Sequence, residues 1–288
     1  MKAERLPGNP IIHPGLAAEI GENINGPSLI RAPSWLPDPL GRYYLYFAHH
    51  GGTSIRLAVA DGLTGPWRVI PGGTLQLAQT ACHAHVASPD VHVNEEQREI
   101  RMYFHGPAAG HQKTFLATSP DGLHFTAGTE ILAPFYLRVF EYAGAFYGIA
   151  KDCNQGGVLV RSPDGVSPFD PGPNVIPRMR HAAVRRCADS LELFFSRGED
   201  CPERILYSQM SLAGNWHEWQ PSAPVELLAP ETEWEGGDLP LTPSSFGAIH
   251  GMARQLRDPA LYEEAGRWFL LYSVAGESGL AIAEVSES

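Results

Sequence analysis

A strand-like apolar and aromatic run, then a second alternating run and a turn, recurs along the whole chain, so the repeat predicts the architecture before any one strand is assigned. The first copy reads PSLIRAPSWLPDPLGRYYLYFAHH then TSIRLAVADGLTGPW, and the second SPDVHVNEEQREIRMYFHG then KTFLATSPDGLHF. FYLRVFEYAGAFYGIAK with GVLVRSPDGVSPF, RHAAVRRCADSLELFFSRG with RILYSQMSLAGNWHEW, and RDPALYEEAGRWFLLYSVAG with SGLAIAEV complete five copies between residues 27 and 285. Each copy predicts a strand, a turn carrying Gly or Asp, a strand rich in Tyr, Phe and Leu, a loop, and a third strand of period-two alternation. The 25 Pro and 30 Gly are spread too evenly for three turns of helix, which leaves only a short helical turn within 220–254. Repeated meanders must each hide a face, and a radial arrangement hides all of them. The expected fold class is all-β, a five-bladed β-propeller occupying residues 1–288 as one domain, with blades near 27–67, 88–125, 134–169, 178–219 and 255–285. The Asp-Gly turns in ADGLTGPW, SPDGLHF and SPDGVSPF read as hairpin chemistry, without a catalytic meaning.

Charge and composition narrow the partners. With 21 Lys and Arg against 32 Asp and Glu, the formal net charge is −11, which argues against a nucleic-acid surface. The opening MKAERLPGNPIIHPG lacks the apolar core of a signal peptide, and no stretch is long and apolar enough to span a membrane, so a soluble, cytoplasmic protein is expected. Cys82, Cys153, Cys187 and Cys201 are scattered without C-x-x-C spacing, which suggests neither a zinc site nor a disulfide framework. The lone HAH at 83–85 has no second motif beside it, so no catalytic metal and no cofactor are expected, although a water-coordinated cation in a central channel would be compatible. Nothing in the repeats sets an oligomeric state.

In a propeller the residues that open the innermost strands converge on one end of the axis, which turns the repeat register into a map of the site. Laying RDPALYEEAGRWFLLY on SPDVHVNEEQREIRMYF without gaps puts Asp258 opposite Asp90. The same register brings His181, Tyr136 and Gly26 to that level, with Arg138 two residues beyond Tyr136 and Asn25 beside Gly26. Two carboxylates, an imidazole, a phenol and a guanidinium are costly as mere filling, because buried charges need partners, so they point to a small-molecule site.

NPIIHP near the start, the SPDV opening at Ser88, the RDPA opening at Arg257, the YYLYF and FLLYS strands and the SPDG turns together resemble glycoside hydrolase family 43 and its five-bladed relatives over nearly the whole chain. In that family an Asp opening the first blade is the general base, an Asp opening the second tunes its partner's pKa and orients the sugar, and a Glu opening the third is the general acid. The linkages cut are mostly those of arabinose and xylose, with inversion. By this resemblance Asp90 takes the second role. The other two positions depart from the pattern: Asn25-Gly26-Pro27-Ser28 stands where the base belongs, and Phe135 or Tyr136 where the acid belongs. Some relatives place a histidine for the acid, and His181 would serve, since imidazole titrates near neutrality.

The long connection from Gln220 to Arg254 supplies further candidates: Glu235 or Asp238 for a missing acid, Trp234 as a sugar-stacking platform and His250 as a lining group. His85 approaches the Asp90 strand, and Arg180 and Arg257 flank their blade openings; His83, His49 and His50 weigh less. The leading expectation is a glycoside hydrolase that removes a terminal sugar from an oligosaccharide, with Asp258 as base or charge stabiliser, Asp90 as orienter, and His181 or Glu235 as proton donor. One alternative is a lyase on uronic-acid glycans, in which His181 or Tyr136 abstracts the proton and Arg138, Arg180 and Arg257 neutralise the carboxylate. The other is a sugar-binding propeller without turnover.

Overall fold

The computed structural model describes residues 1–287. Its strands form five antiparallel blades. β1 (Lys2–Arg5) comes first in the chain, and blade I follows as β2 (Asn25–Arg31), β3 (Tyr43–Ala48), β4 (Ser54–Ala60) and β5 (Arg68–Gln76). Blade II is β6 (Ala87–Asn94), β7 (Glu99–Ala108), β8 (His111–Ser119) and the short β9 (Thr126–Ala127). Blade III is β10 (Ala133–Tyr142), β11 (Ala145–Asp152), β12 (Gly156–Ser162) and β13 (Asp170–Pro177), and its first strand also pairs briefly with β8. Blade IV is β14 (Met179–Cys187), β15 (Ser190–Arg197), β16 (Ile205–Ser211) and β17 (Val225–Leu228). Blade V is β18 (Arg257–Glu264), β19 (Arg267–Val274) and β20 (Gly279–Ser286), and β1 adds to it with Arg5 opposite Ala283. Four strands per blade therefore replace the expected three, and the strand outside the repeats closes the ring by joining the two ends of the chain.

The innermost strands β2, β6, β10, β14 and β18 touch in cyclic order, with β18 returning to β2, so the chain is a five-bladed β-propeller. Period two explains why the middle strands read as unbroken apolar runs: each blade is covered on both faces, and alternate residues serve opposite neighbours. On β3, Leu45 and Phe47 pack toward blade V while Tyr44 and Tyr46 pack toward blade II. On β15, Phe194 faces blade V and Leu193 with Phe195 faces blade III. Five apolar layers result, one between each pair of adjacent blades. The Ser-Pro-Asp-Gly turns are side-chain capped: Asp121 accepts from the N–H groups of Leu123 and His124, and Asp164 from those of Val166 and Ser167. Among the described residues helix is confined to single 3-10 turns, one of them Glu233–Glu235 within the long connection. No helix among the described residues is long and apolar enough to cross a membrane.

Candidate active site

The innermost strands all carry a bulge at their openings, and the bulges set the site. Gly26, Ser88, Tyr136 and Asp258 occupy equivalent bulge positions with φ of 58°, 46°, 57° and 49°. Such left-handed backbone at non-glycine residues is uncommon and costs energy that the surrounding sheet must supply. At Gly26 a side chain would be strained and crowded, since a Cβ there would lie 3.0 Å from Ser88 Cα in the next blade.

This pattern corrects the ungapped register. Asp258 is level with Ser88, and Asp90 lies two residues further along β6. The hairpin after β6 spans Asn94 to Glu99, whereas that after β18 spans only Glu264 to Arg267, so two extra loop residues displace the alignment by two. A shift of two keeps side-chain parity, which is why the apolar pattern did not reveal it. Asp90 and Asp258 consequently line no common cavity. Asp90, Arg138 and His92 border a small channel of about 130 Å³ beyond the bulges. There Asp90 accepts from Val139 N–H at 2.9 Å and pairs with His92 Nε2 at 2.9 Å, while Arg138 donates to the carbonyls of Pro89 and Ala182. Burial pushes the Asp90 carboxyl up, but His92, Arg138 and the Val139 N–H outweigh it and hold the group below its ordinary value.

Three neighbouring blades do bring their openings together. The Tyr136 ring lies 4.6 Å from that of His181, and His181 Nε2 lies 3.0 Å from Asp258 Oδ1. Asp258 N–H donates to His181 Nδ1 at 3.3 Å, so the ring hydrogen sits on Nε2 and is given to the carboxylate. Both ring nitrogens are thus committed to Asp258, whose Oδ2 accepts from Ser273 at 2.9 Å. Burial lowers the His181 pKa to about 4, so the imidazole is neutral. Burial also opposes charge on Asp258, yet His181, Arg257 and Arg180 hold it below the usual carboxylate range. An imidazole fixed this way orients and polarises; it has no free nitrogen for a leaving group.

The mouth above this couple is lined by Asn25, His50, His85, Gln112, Phe135, Tyr136, Lys151, Arg180 and His181, and its volume is about 60 Å³. The couple stands over a buried ionic layer. Arg257 bridges Glu277 Oε1 and Glu203 Oε2, both at 2.9 Å, and Arg180 Nε lies 3.3 Å from Glu203 Oε1. Asn25 donates to Glu277 Oε2 at 3.1 Å, and His85 Nε2 is 3.1 Å from Gln112 Oε1. Among the described residues no group of three or more His, Cys, Asp or Glu side chains is arranged to hold a metal ion.

Lys151 was not singled out from the sequence, although a lone lysine ending the apolar run FYGIAK was the available signal. Lys151 is 3 % exposed and makes no ion pair within 4.0 Å among the described residues. The ammonium instead faces the rings of Phe246, Phe135 and Tyr136 at 4.8, 5.3 and 5.5 Å. Burial first, and the charge of Arg180 next, lower its pKa to about 7. His105, also missed, packs 4.5 Å from Tyr136 with its pKa driven down by burial. Glu203 and Glu277 lie outside the repeated strand motif and left no signal.

The long connection divides. Glu235 is fully buried, receives Arg5 through Nε at 2.8 Å and Nη2 at 2.9 Å, and accepts from Tyr272 and the N–H groups of Glu231 and Thr232. Its oxygens are used up in tying β1 to this loop, so it reaches no cavity and cannot supply the acid. Trp234 and His250 border a larger, mainly apolar recess of about 740 Å³, with Pro10, Pro14, Ile249 and Met252. His50 lines both this recess and the axial mouth.

The fold is that of the family 43 propellers. A thermostable family-43 glycoside hydrolase superposes with a TM-score of 0.68 at 12% identity, covering 92% of this chain and 90% of that one. A family 43 β-xylosidase/α-arabinofuranosidase from a compost metagenome gives 0.66 at 11% identity over 99% and 96%, and an exo-1,5-α-L-arabinanase from a bovine ruminal library 0.63 at 13% over 92% and 94%. No family model matches the sequence. The chain belongs to the same family as "Uncharacterized protein R118" of Acanthamoeba polyphaga mimivirus, to which it is 33% identical over 322 aligned positions, covering 98% of this chain and 89% of the relative.

Proposed function

We propose that the protein is a carbohydrate-active enzyme that hydrolyses glycosidic bonds, taking a terminal sugar at the axial mouth and the rest of the oligosaccharide in the adjoining recess. One observation carries this reading: an amine of pKa about 7, Lys151, and the Tyr136 hydroxyl stand beside the fixed His181–Asp258 couple at the propeller axis. The named activities of the superposed xylosidase/arabinofuranosidase and arabinanase support the reaction class. Protonated Lys151 gives its proton to the leaving oxygen as the C–O bond breaks. The amine so formed accepts a proton from the water that adds to the anomeric carbon, which restores the ammonium. Asp258, behind His181, offsets the positive charge that develops on the sugar.

A second reading has its own observation. No carboxylate lines the mouth, whereas Arg180 and Lys151 do. For a uronic-acid substrate the neutral Lys151 amine would remove the proton next to the carboxylate and Tyr136 would protonate the leaving oxygen. Incubation with an oligosaccharide panel in heavy-oxygen water, read by mass spectrometry, separates the two. Label in the released sugar is the expected result. An unlabelled product lighter by one water replaces hydrolysis by elimination, and no product from any glycan overturns both.

A further inference from the structure

The charged groups at the axial mouth are unequal in what they leave unused. All three carboxylates of the layer beneath it are engaged: Asp258 by His181 and Ser273, Glu203 by Arg180, Arg257 and Ser196, and Glu277 by Arg257, Asn23 and Asn25. Two of the cations are less fully used. Arg180 is 1 % exposed, pairs with Glu203 through Nε and donates through Nη2 to the Gly247 carbonyl, while its Nη1 has no hydrogen-bond partner among the described residues. Lys151 pairs with no carboxylate within 4.0 Å among the described residues, and its ammonium stands against the rings of Phe135, Tyr136 and Phe246. Both side chains border the mouth. A buried guanidinium nitrogen without an acceptor is unfavourable, so an acceptor brought by a ligand is favoured there.

We propose that the mouth is a carboxylate subsite, and that the sugar the protein acts on is anionic, its carboxylate lying between Arg180 Nη1 and Lys151 Nζ. The proposal rests on the glycan-cleaving reading and names its substrate class. The sugars that follow the anionic one lie past His50, in the recess bordered by Trp234.

Charge balance adds a consequence. Facing Lys151 are Tyr136 from β10, His105 from β7, Arg180 and His181 from β14, Glu203 from the loop after β15, and Arg257 with Asp258 from β18. With Glu277, the layer holds Arg180 and Arg257 against Asp258, Glu203 and Glu277. An anion entering alone would deepen that deficit of positive charge. An anion entering with one proton, taken by the Lys151 amine, leaves the buried charge unchanged. Binding is therefore expected to be proton-linked above neutrality.

Isothermal titration of the full chain at pH 8, in two buffers of different ionisation enthalpy, tests this with D-glucuronate and D-galacturonate against D-glucose and D-galactose. The expected result is about tenfold or tighter binding of the uronates, with uptake of up to one proton. Lys151→Met removes an amine that has no salt-bridge partner, so its fold should be retained; it should lose both the preference and the proton uptake. Neutral sugars that bind as well as their uronates would overturn the anionic class and leave the glycan reading standing. Uronate binding without proton uptake, unchanged in Lys151→Met, would overturn the role of Lys151. No binding of any of the four sugars would count against the glycan reading itself, and the subsite with it.

Discussion

Replacing Lys151 by Met should make the protein more stable while removing its activity. The amine titrates near 10.5 in the unfolded chain and at about 7 in the folded one, mainly because burial disfavours its charge. A gap of roughly 3.5 in pKa, at ~1.4 kcal/mol for each, corresponds to a penalty of ~5 kcal/mol on the folded state when the amine is protonated in both. The rings of Phe135, Tyr136 and Phe246 belong to the surroundings that set the folded-state value, so their attraction is not subtracted again and Met relieves ~5 kcal/mol. Between pH 7 and 10.5 the unfolded chain binds more protons than the folded one, so this group makes wild-type stability rise with pH across that window. The penalty is complete below pH 7 and gone above 10.5. Urea denaturation at intervals from pH 6 to 10.5, followed by circular dichroism, should show the variant more stable by ~5 kcal/mol at pH 6, with the gap closing as pH rises. A variant no more stable than wild type at pH 6, or a gap that ignores pH, would refute the claim of a buried, uncompensated amine.

Asp258→Asn removes the acceptor that fixes the His181 tautomer; turnover should fall about a hundredfold or more with the circular dichroism spectrum unchanged, which initial-rate kinetics will show. Glu235→Gln leaves Arg5 part-buried without its bidentate partner and should cost about 3 kcal/mol in chemical denaturation while the specific activity of the folded protein is kept. Trp234→Ala should raise KM for an oligosaccharide about tenfold with a smaller change in kcat, because the ring borders the recess and not the axial mouth.

The propeller was legible because blade packing imposes the same period-two, doubly buried strands on every repeat, and a run such as YYLYF has few other uses. The fourth strand of each blade was harder to see: β5, β13 and β17 lie at exposed outer edges where the apolar pattern fades. At the site the sequence located Tyr136, His181 and Asp258 on adjacent blade openings, and the structure joins them. It misplaced Asp90 by two positions because hairpin length is invisible to an ungapped comparison. Glu235 looked like a free acid in an acidic loop, since nothing in EWEGGD reveals that Arg5, far away in sequence, occupies it. Lys151, Glu203 and Glu277 were hidden for a related reason: their importance lies in partners, or the lack of them, that only the closed ring provides.

If the axial mouth between Lys151 and Arg180 holds the reacting sugar, a crystal structure of the protein soaked with a uronic-acid oligosaccharide will show it there. A sugar carboxylate is expected within hydrogen-bonding distance of Arg180 Nη1 and Lys151 Nζ, with the following residues running past His50 toward Trp234. A glycan bound at the opposite end of the channel beside Asp90, or on the outer edges of the blades, would contradict it.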